Sequence, residues 1–229
     1  MKSGKTILRL LILFLTLAGI QETRAQQSTT LFWEPEFSLE IPTNGRWAFS
    51  VGAANRTQYF VKQQGQRIEG RNQEHIELNQ FTSYRSGART ILSLGFRYRF
   101  TEAFNPGSYD EFRIVQQLNY ANPGAFLGLA HRFRLEERFR NVVTILRSRY
   151  QISVSKPLGG GFEAGLGTEI LYSLAGGMEP ELDQRFSVGL SNSAIQGVEI
   201  SIGFEYQYEN YLNTPENELF LQSGISLEL

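Results

Sequence analysis

Residues 131–139 read HRFRLEERF, three arginines and two glutamates set among Phe133, Leu135 and Phe139. Taking every second residue sorts the stretch. His131, Phe133 and Leu135 continue a series begun by Leu127 and Leu129, while Gly128, Ala130, Arg132, Arg134, Glu136 and Arg138 form the other. A period of two belongs to a β-strand, whose side chains alternate between two faces. The stretch predicts a strand with one apolar and one charged face.

The alternation recurs along the chain. Leu31, Trp33, Phe37, Leu39 and Ile41 oppose Glu34, Glu36, Ser38 and Glu40; after the turn PTNG, Trp47, Phe49, Val51 and Ala53 oppose Ala48, Ser50, Gly52 and Arg56. Leu92, Leu94, Phe96, Tyr98 and Phe100 oppose Ser93, Gly95, Arg97 and Arg99. Leu146, Tyr150, Ile152 and Val154 oppose Arg147, Arg149, Gln151 and Ser153. Further strands are expected at 75–84, 111–120, 162–170, 185–191, 198–208 and 218–229, and the polar, Gln-rich residues 57–73 are expected to form a long loop. The pattern suggests about eleven strands. Single-chain bacterial barrels keep an even count, so ten or twelve are expected.

Residues 1–25 carry Lys2 and Lys5, an apolar run over Leu10–Ile20 and then Thr23-Arg24-Ala25. This is the layout of a secretory signal peptide cleaved after Ala25, leaving 26–229 as one barrel domain. The run is too short to cross a bilayer comfortably as a helix. The whole chain has 22 Lys and Arg and 23 Asp and Glu; removing four basic residues and one acidic residue leaves 18 and 22. A net charge of −4 is not that of a strongly basic nucleic-acid binder. The absence of cysteine excludes a lipoprotein anchor, disulfides and thiol chemistry.

Periodicity does not say which face lies inside. A soluble barrel buries its apolar face; an outer-membrane barrel turns it to lipid and keeps polar residues in the lumen. Strands of 8–13 residues match a tilted membrane crossing better than the usual globular strand. The polar face also carries Gly52, Gly95, Gly128, Gly165, Gly167, Gly189, Gly203 and Gly224, expected to make room in a confined lumen for Arg and Glu from neighbouring strands. Trp33, Trp47, Tyr98, Phe100, Tyr206 and Tyr208 near strand ends suggest an interfacial girdle. The expected fold is all-β: an antiparallel, up-and-down transmembrane β-barrel of about 10–12 strands. His131 falls on its lipid face with no evident role.

FRIVQQLNY, HRFRLEERF, the Arg147/Arg149 strand, GTEILYSL and LDQRFSVGLS occur in an order that resembles the bacterial family called domain of unknown function 2490. The resemblance covers most of residues 30–229. It implies a Gram-negative outer-membrane barrel and supplies no functional residues.

Catalytic signals are sparse. His75 and His131 are the only histidines, so a multi-histidine metal site is not expected. A Ser–His–acid hydrolase acting on lipid would need one of them; His75 has Glu74 and Glu77 nearby but no serine in a recognisable motif, and reads as a polar rim residue. LGGGFEAGLG reads as a turn and lumen glycines, not a nucleotide loop. Glu179, Glu181 and Asp183 read as a solvated acidic loop ahead of a cation site. No cofactor, metal or catalysis is expected.

The constellation left is the lumen charge set. Arg113, Arg132, Arg134, Arg138, Arg147 and Arg149 come from three successive strands, and Glu136, Glu163, Glu169, Glu199 and Glu205 share their face. They either line a pore or a polar ligand site with a basic and an acidic wall, or plug the lumen as bracing Arg–carboxylate pairs. The near balance of signs favours bracing. A structural barrel or narrow channel is expected, a monomer in outer-membrane lipid with a small polar solute as its one other partner. A lipid-processing enzyme and a secreted soluble barrel binding a small ligand are the alternatives.

Overall fold

The computed structural model describes residues 28–43, 45–63, 66–102, 105, 107–122 and 127–229. The expected signal peptide and Asn44 of the PTNG turn lie outside them. Eleven strands follow one another: β1 (Thr29–Pro42), β2 (Trp47–Gln63), β3 (Gln66–Arg85), β4 (Thr90–Thr101), β5 (Glu111–Asn122), β6 (Gly128–Arg140), β7 (Val143–Gly159), β8 (Phe162–Ala175), β9 (Glu181–Ile195), β10 (Val198–Glu209) and β11 (Glu216–Glu228). Each pairs antiparallel with the next, and β1 pairs with β11 in parallel, closing the barrel.

That closure overturns the expected even count. In an odd up-and-down meander the last strand runs in the same direction as the first, so the two ends meet only in parallel. The seam is long: twelve register pairs run from Thr29↔Asn217 to Glu40↔Glu228. On its outer face Trp33 Nε1 donates to Ser223 Oγ at 3.1 Å. On its inner face Phe32 stacks on Phe220, ring centroids 4.9 Å apart, and the Arg56 guanidinium lies 4.6 Å from the Phe220 ring.

The expected loop at 57–73 is likewise corrected. β2 and β3 stay paired through Val61↔Ile68, Lys62↔Arg67 and Gln63↔Gln66; β1 follows β2 as far as Thr29↔Lys62, whereas β3 runs on past the end of β4 at His75↔Thr101. The β2–β3 register shifts at Arg56/Thr57 and Gln58/Phe60. Nearby, a polar cluster links Gln73 to Asn55 and Asn55 to Thr57. Longer connections, 102–110, 176–180 and 210–215, share this end, here termed the upper rim; the lower rim holds shorter turns such as 160–161 and 196–197. Gly159, Gly160 and Gly161 adopt φ of +91°, +62° and +81°, which few residues with a Cβ accept, so the glycine run is a turn as expected.

The orientation of the faces is unambiguous. Phe133 and Leu135 are each 43% exposed on the outside, whereas Arg134 and Glu136, which alternate with them, are 6% and 1% exposed. The barrel is apolar outside and charged within, the reverse of a soluble barrel. Aromatic residues form two belts. Tyr98, Phe100, Tyr206 and Tyr208 lie toward the upper rim with Phe112, Phe139 and Phe186; Trp47 packs on Tyr84 at the lower rim. His131 belongs to the lower belt. It lies between Tyr120 and Tyr150, 6.2 Å from each ring, and its Nδ1 shares a 2.9 Å hydrogen bond with the Tyr150 hydroxyl.

Several lumen glycines do make room, though for other partners than expected. A Cβ on Gly95 would lie 2.2 Å from the Phe81 ring. Those on Gly52, Gly167 and Gly224 would crowd Asn79, Ser187 and Ser201. Arg and Glu need no such relief, because their long side chains reach past the wall into the lumen.

Candidate functional site: the charged lumen

The inner face of β3–β8 carries two chains of ion pairs. In the upper chain, Glu77 accepts from Arg97 at 2.9 Å and Arg99 at 3.0 Å, and lies 3.6 Å from Arg113. Arg113 also pairs with Glu111, which receives Arg138 through both of its oxygens (3.2 and 3.0 Å) and Arg140 as well. In the second chain, Arg149 joins Glu136 at 3.1 Å to Glu169 at 2.6 Å; Arg132 reaches Glu169 at 3.2 Å and Arg134 reaches Glu136 at 3.5 Å. Arg134 also donates to Gln117 through Nε at 2.9 Å and Nη2 at 2.5 Å. Fork-shaped guanidiniums on facing strands explain this connectivity, since one arginine bridges two carboxylates.

Nine of the eleven expected lumen charges therefore stand in the interior: Arg113, Arg132, Arg134, Glu136, Arg138, Arg147, Arg149, Glu169 and Glu205. Arg147 donates to Ser173 at 2.7 Å and lies 3.9 Å from Asp183, and Glu205 lies 3.8 Å from Arg185. Glu163 and Glu199 do not belong to the network. Both are exposed, within two residues of the lower-rim turns, where the barrel mouth is wet. Asp183 corrects the solvated-loop expectation: it is 3% exposed and accepts the Asn210 backbone N–H at 2.9 Å. His75 lies at the upper end of the wall, opposite the last residue of β4, Thr101, but is buried rather than solvated there. It is 3% exposed and faces Glu74 at 3.8 Å, and no hydroxyl among the described residues hydrogen-bonds to it.

The structure adds Glu77 and Glu111, the hubs of the upper chain, which sequence reasoning missed. Their strands do alternate, and Glu77 and Glu111 hold the inward parity; that parity was the available signal. Arg56, paired to Glu34 at 2.7 Å, and Arg185 were missed as well. Among the described residues, no group of three or more His, Asp or Glu is arranged to hold a metal.

These side chains do not fill the lumen. A chamber of about 760 Å³ opens toward the upper rim, where Arg140 and Glu74 side chains are 47% and 42% exposed. Below it lie a cavity of about 490 Å³, lined by residues including Phe81, Ser93 and Asn119, and a cavity of about 320 Å³ lined by residues of β7–β11 including Ser153, Gly167, Ser187 and Gln222. Arg134 borders both the upper chamber and the 490 Å³ cavity; Ser187, Ser201 and Gln222 border both the chamber and the smaller one.

Charge is distributed unevenly around the chamber. Among its lining residues and the buried acids paired to them, strands β4–β7 contribute nine arginines (Arg97, Arg99, Arg113, Arg132, Arg134, Arg138, Arg140, Arg147, Arg149) against Glu111 and Glu136. Strands β9–β11, β1 and β2 contribute Glu34, Glu36, Glu181, Asp183, Glu205, Glu209 and Glu218 against Arg56 and Arg185. Local pairing is extensive, yet one wall is basic and the facing wall acidic. Glu74 and Glu77 on β3 and Glu169 on β8 stand at the two boundaries between the walls, Glu77 and Glu169 paired to arginines of the basic one.

Comparison with known proteins supplies a family but no activity. The family described as "Protein of unknown function (DUF2490)" matches residues 33–218. No curated protein matches the sequence. Among solved structures, OmpT, an outer membrane protein of Vibrio cholerae, is similar at 8% identity and a TM-score of 0.41, over 83% of this chain and 89% of that one. The anion-selective porin from Comamonas acidovorans is similar at 15% identity and a TM-score of 0.40, over 82% of this chain and 54% of the porin.

Proposed function

We propose, from the premise that the chain belongs to the family described as Protein of unknown function (DUF2490), that it is an outer-membrane barrel whose ion-paired lumen forms a narrow passage for small polar solutes. The observation that carries this reading is the position of Arg134. It is held between Gln117 and Glu136, and it separates the upper chamber from the cavity below. The same pairs that brace the wall thus constrict the lumen. Bracing favours a fixed bore, because removing one partner of a buried pair strands the other in a poorly solvated site. A barrel of this strand number lies between the eight-stranded type filled by side chains and the 16-stranded open porin. In this reading the upper rim faces the cell exterior, since outer-membrane barrels carry their longer connections there.

Planar-bilayer recording tests the proposal with Arg134→Ala. Wild type is expected to give a small or intermittently closed conductance, and the variant a larger one as the two spaces merge. Stability falls together with the gain, by about 1–3 kcal/mol for lost hydrogen bonds to a charged group. The loss stays within that range because Glu136 keeps Arg149 at 3.1 Å. A large, steady wild-type conductance that Arg134→Ala leaves unchanged would overturn the constriction.

A further inference from the structure

We infer that the upper chamber is a binding site for zwitterionic solutes of the amino-acid or short-peptide class, the carboxylate held by the β4–β7 wall and the ammonium by the facing acidic wall. The inference rests on the narrow-passage reading only in that the chamber must be reachable from the upper rim.

Both walls keep binding capacity that the protein does not use internally. On the basic wall, Arg113 is 4% exposed and its Nη2 has no partner; Arg97 and Arg132 likewise leave a buried Nε unpaired. On the acidic wall, Glu218 Oε2 is buried without a hydrogen bond, as is Arg185 Nε, and Glu36, exposed to the lumen, has no ion pair among the described residues. All six residues line the chamber. Buried donors and acceptors left unmatched are costly, and a ligand that satisfies them recovers that cost on binding.

The arrangement selects against simple ions. An anion would meet the arginines but also the field of the acidic wall, and a cation would meet the converse. A molecule bearing both charges, separated by a short polar backbone, lies along the transverse field and satisfies both walls. A chamber of about 760 Å³ is large enough for a short peptide.

Triglycine is the probe, with N-acetyl-triglycine and triglycine amide as controls that remove one charge each. Binding is measured by isothermal titration calorimetry on the full mature chain in detergent micelles, so the result does not depend on conduction. Triglycine is expected to bind at least about tenfold more tightly than either control, a difference calorimetry resolves. Glu36→Gln combined with Glu218→Gln should abolish the preference over N-acetyl-triglycine while leaving the arginine wall intact. Retention of the heat-modifiable folded band on a detergent gel excludes misfolding as the cause. Equal or tighter binding of N-acetyl-triglycine, or no binding of triglycine, would overturn the inference. A barrel that binds triglycine and never conducts would refute the passage and leave the site standing.

Discussion

At the scale of single residues, the lumen is built by exchanging size between neighbours. Gly95 and Phe81 are direct cross-strand partners, and the Phe81 ring covers the glycine so closely that a methyl group would lie 2.2 Å from it. An aromatic ring lying over a strand glycine restores the contact the glycine lacks. The Arg97 guanidinium lies 5.4 Å from the centroid of the same ring, so the pair also seats a residue of the upper ion-pair chain. Gly95→Ala should therefore destabilise the barrel by about 1–3 kcal/mol, the usual cost of overpacking. Adding Phe81→Ala should recover part of the loss, because the two residues are in contact and their effects do not add. Urea unfolding from micelles, followed by tryptophan fluorescence, reads both. A Gly95→Ala midpoint equal to wild type would refute this account of the contact.

At the scale of elements, the decisive feature is the parallel seam between β1 and β11. Its register places Ser38 opposite Ser226, both on the inner face. Neighbouring strands lie about 4.8 Å apart, within the Cα spacing a disulfide accepts. The chain has no cysteine, so Ser38→Cys with Ser226→Cys should oxidise cleanly and retard unfolding on a non-reducing gel. Ser38→Cys with Gly224→Cys, two residues off register and about 8 Å apart, should not. Cross-linking of the second pair in preference to the first would disprove the register. This seam also marks where the sequence stops being informative. HRFRLEERF discloses its strand because one face meets an apolar surrounding and the other a polar one, which writes the alternation into neighbouring residues. Residues 57–73 hide theirs because polar residues fall on both parities, Gln58 and Lys62 on one and Thr57 and Gln73 on the other, so the paired backbone leaves no alternation to read. Pairing between first and last strands leaves no local trace at all. Within the candidate site, arginine-rich β6 and β7 stood out, whereas Glu77 and Glu111 are single carboxylates whose importance comes from the several guanidiniums that converge on each.

At the scale of the whole molecule, the outer face sets where the protein is able to exist. Leu94, Phe96, Phe133, Leu135, Ile170, Tyr172, Ile202 and Phe204 are all between 39% and 59% exposed, and they continue around the wall between two aromatic belts. Monomeric soluble proteins rarely expose a contiguous apolar surface of more than a few hundred Å². An apolar band encircling a barrel exceeds that, and lipid is the surrounding that removes the penalty. The interior gives no alternative, because turning the barrel inside out would place Arg138 and Glu111 against acyl chains. Closure into a barrel also leaves no unpaired strand edge within the hydrocarbon layer, as a membrane demands. The mature chain is therefore expected to fractionate with outer membranes. It should migrate as a compact band when unboiled and as a slower, unfolded band after heating. A monodisperse, detergent-free species recovered from the periplasm would contradict the membrane location, since that band would then have to be covered by something other than lipid.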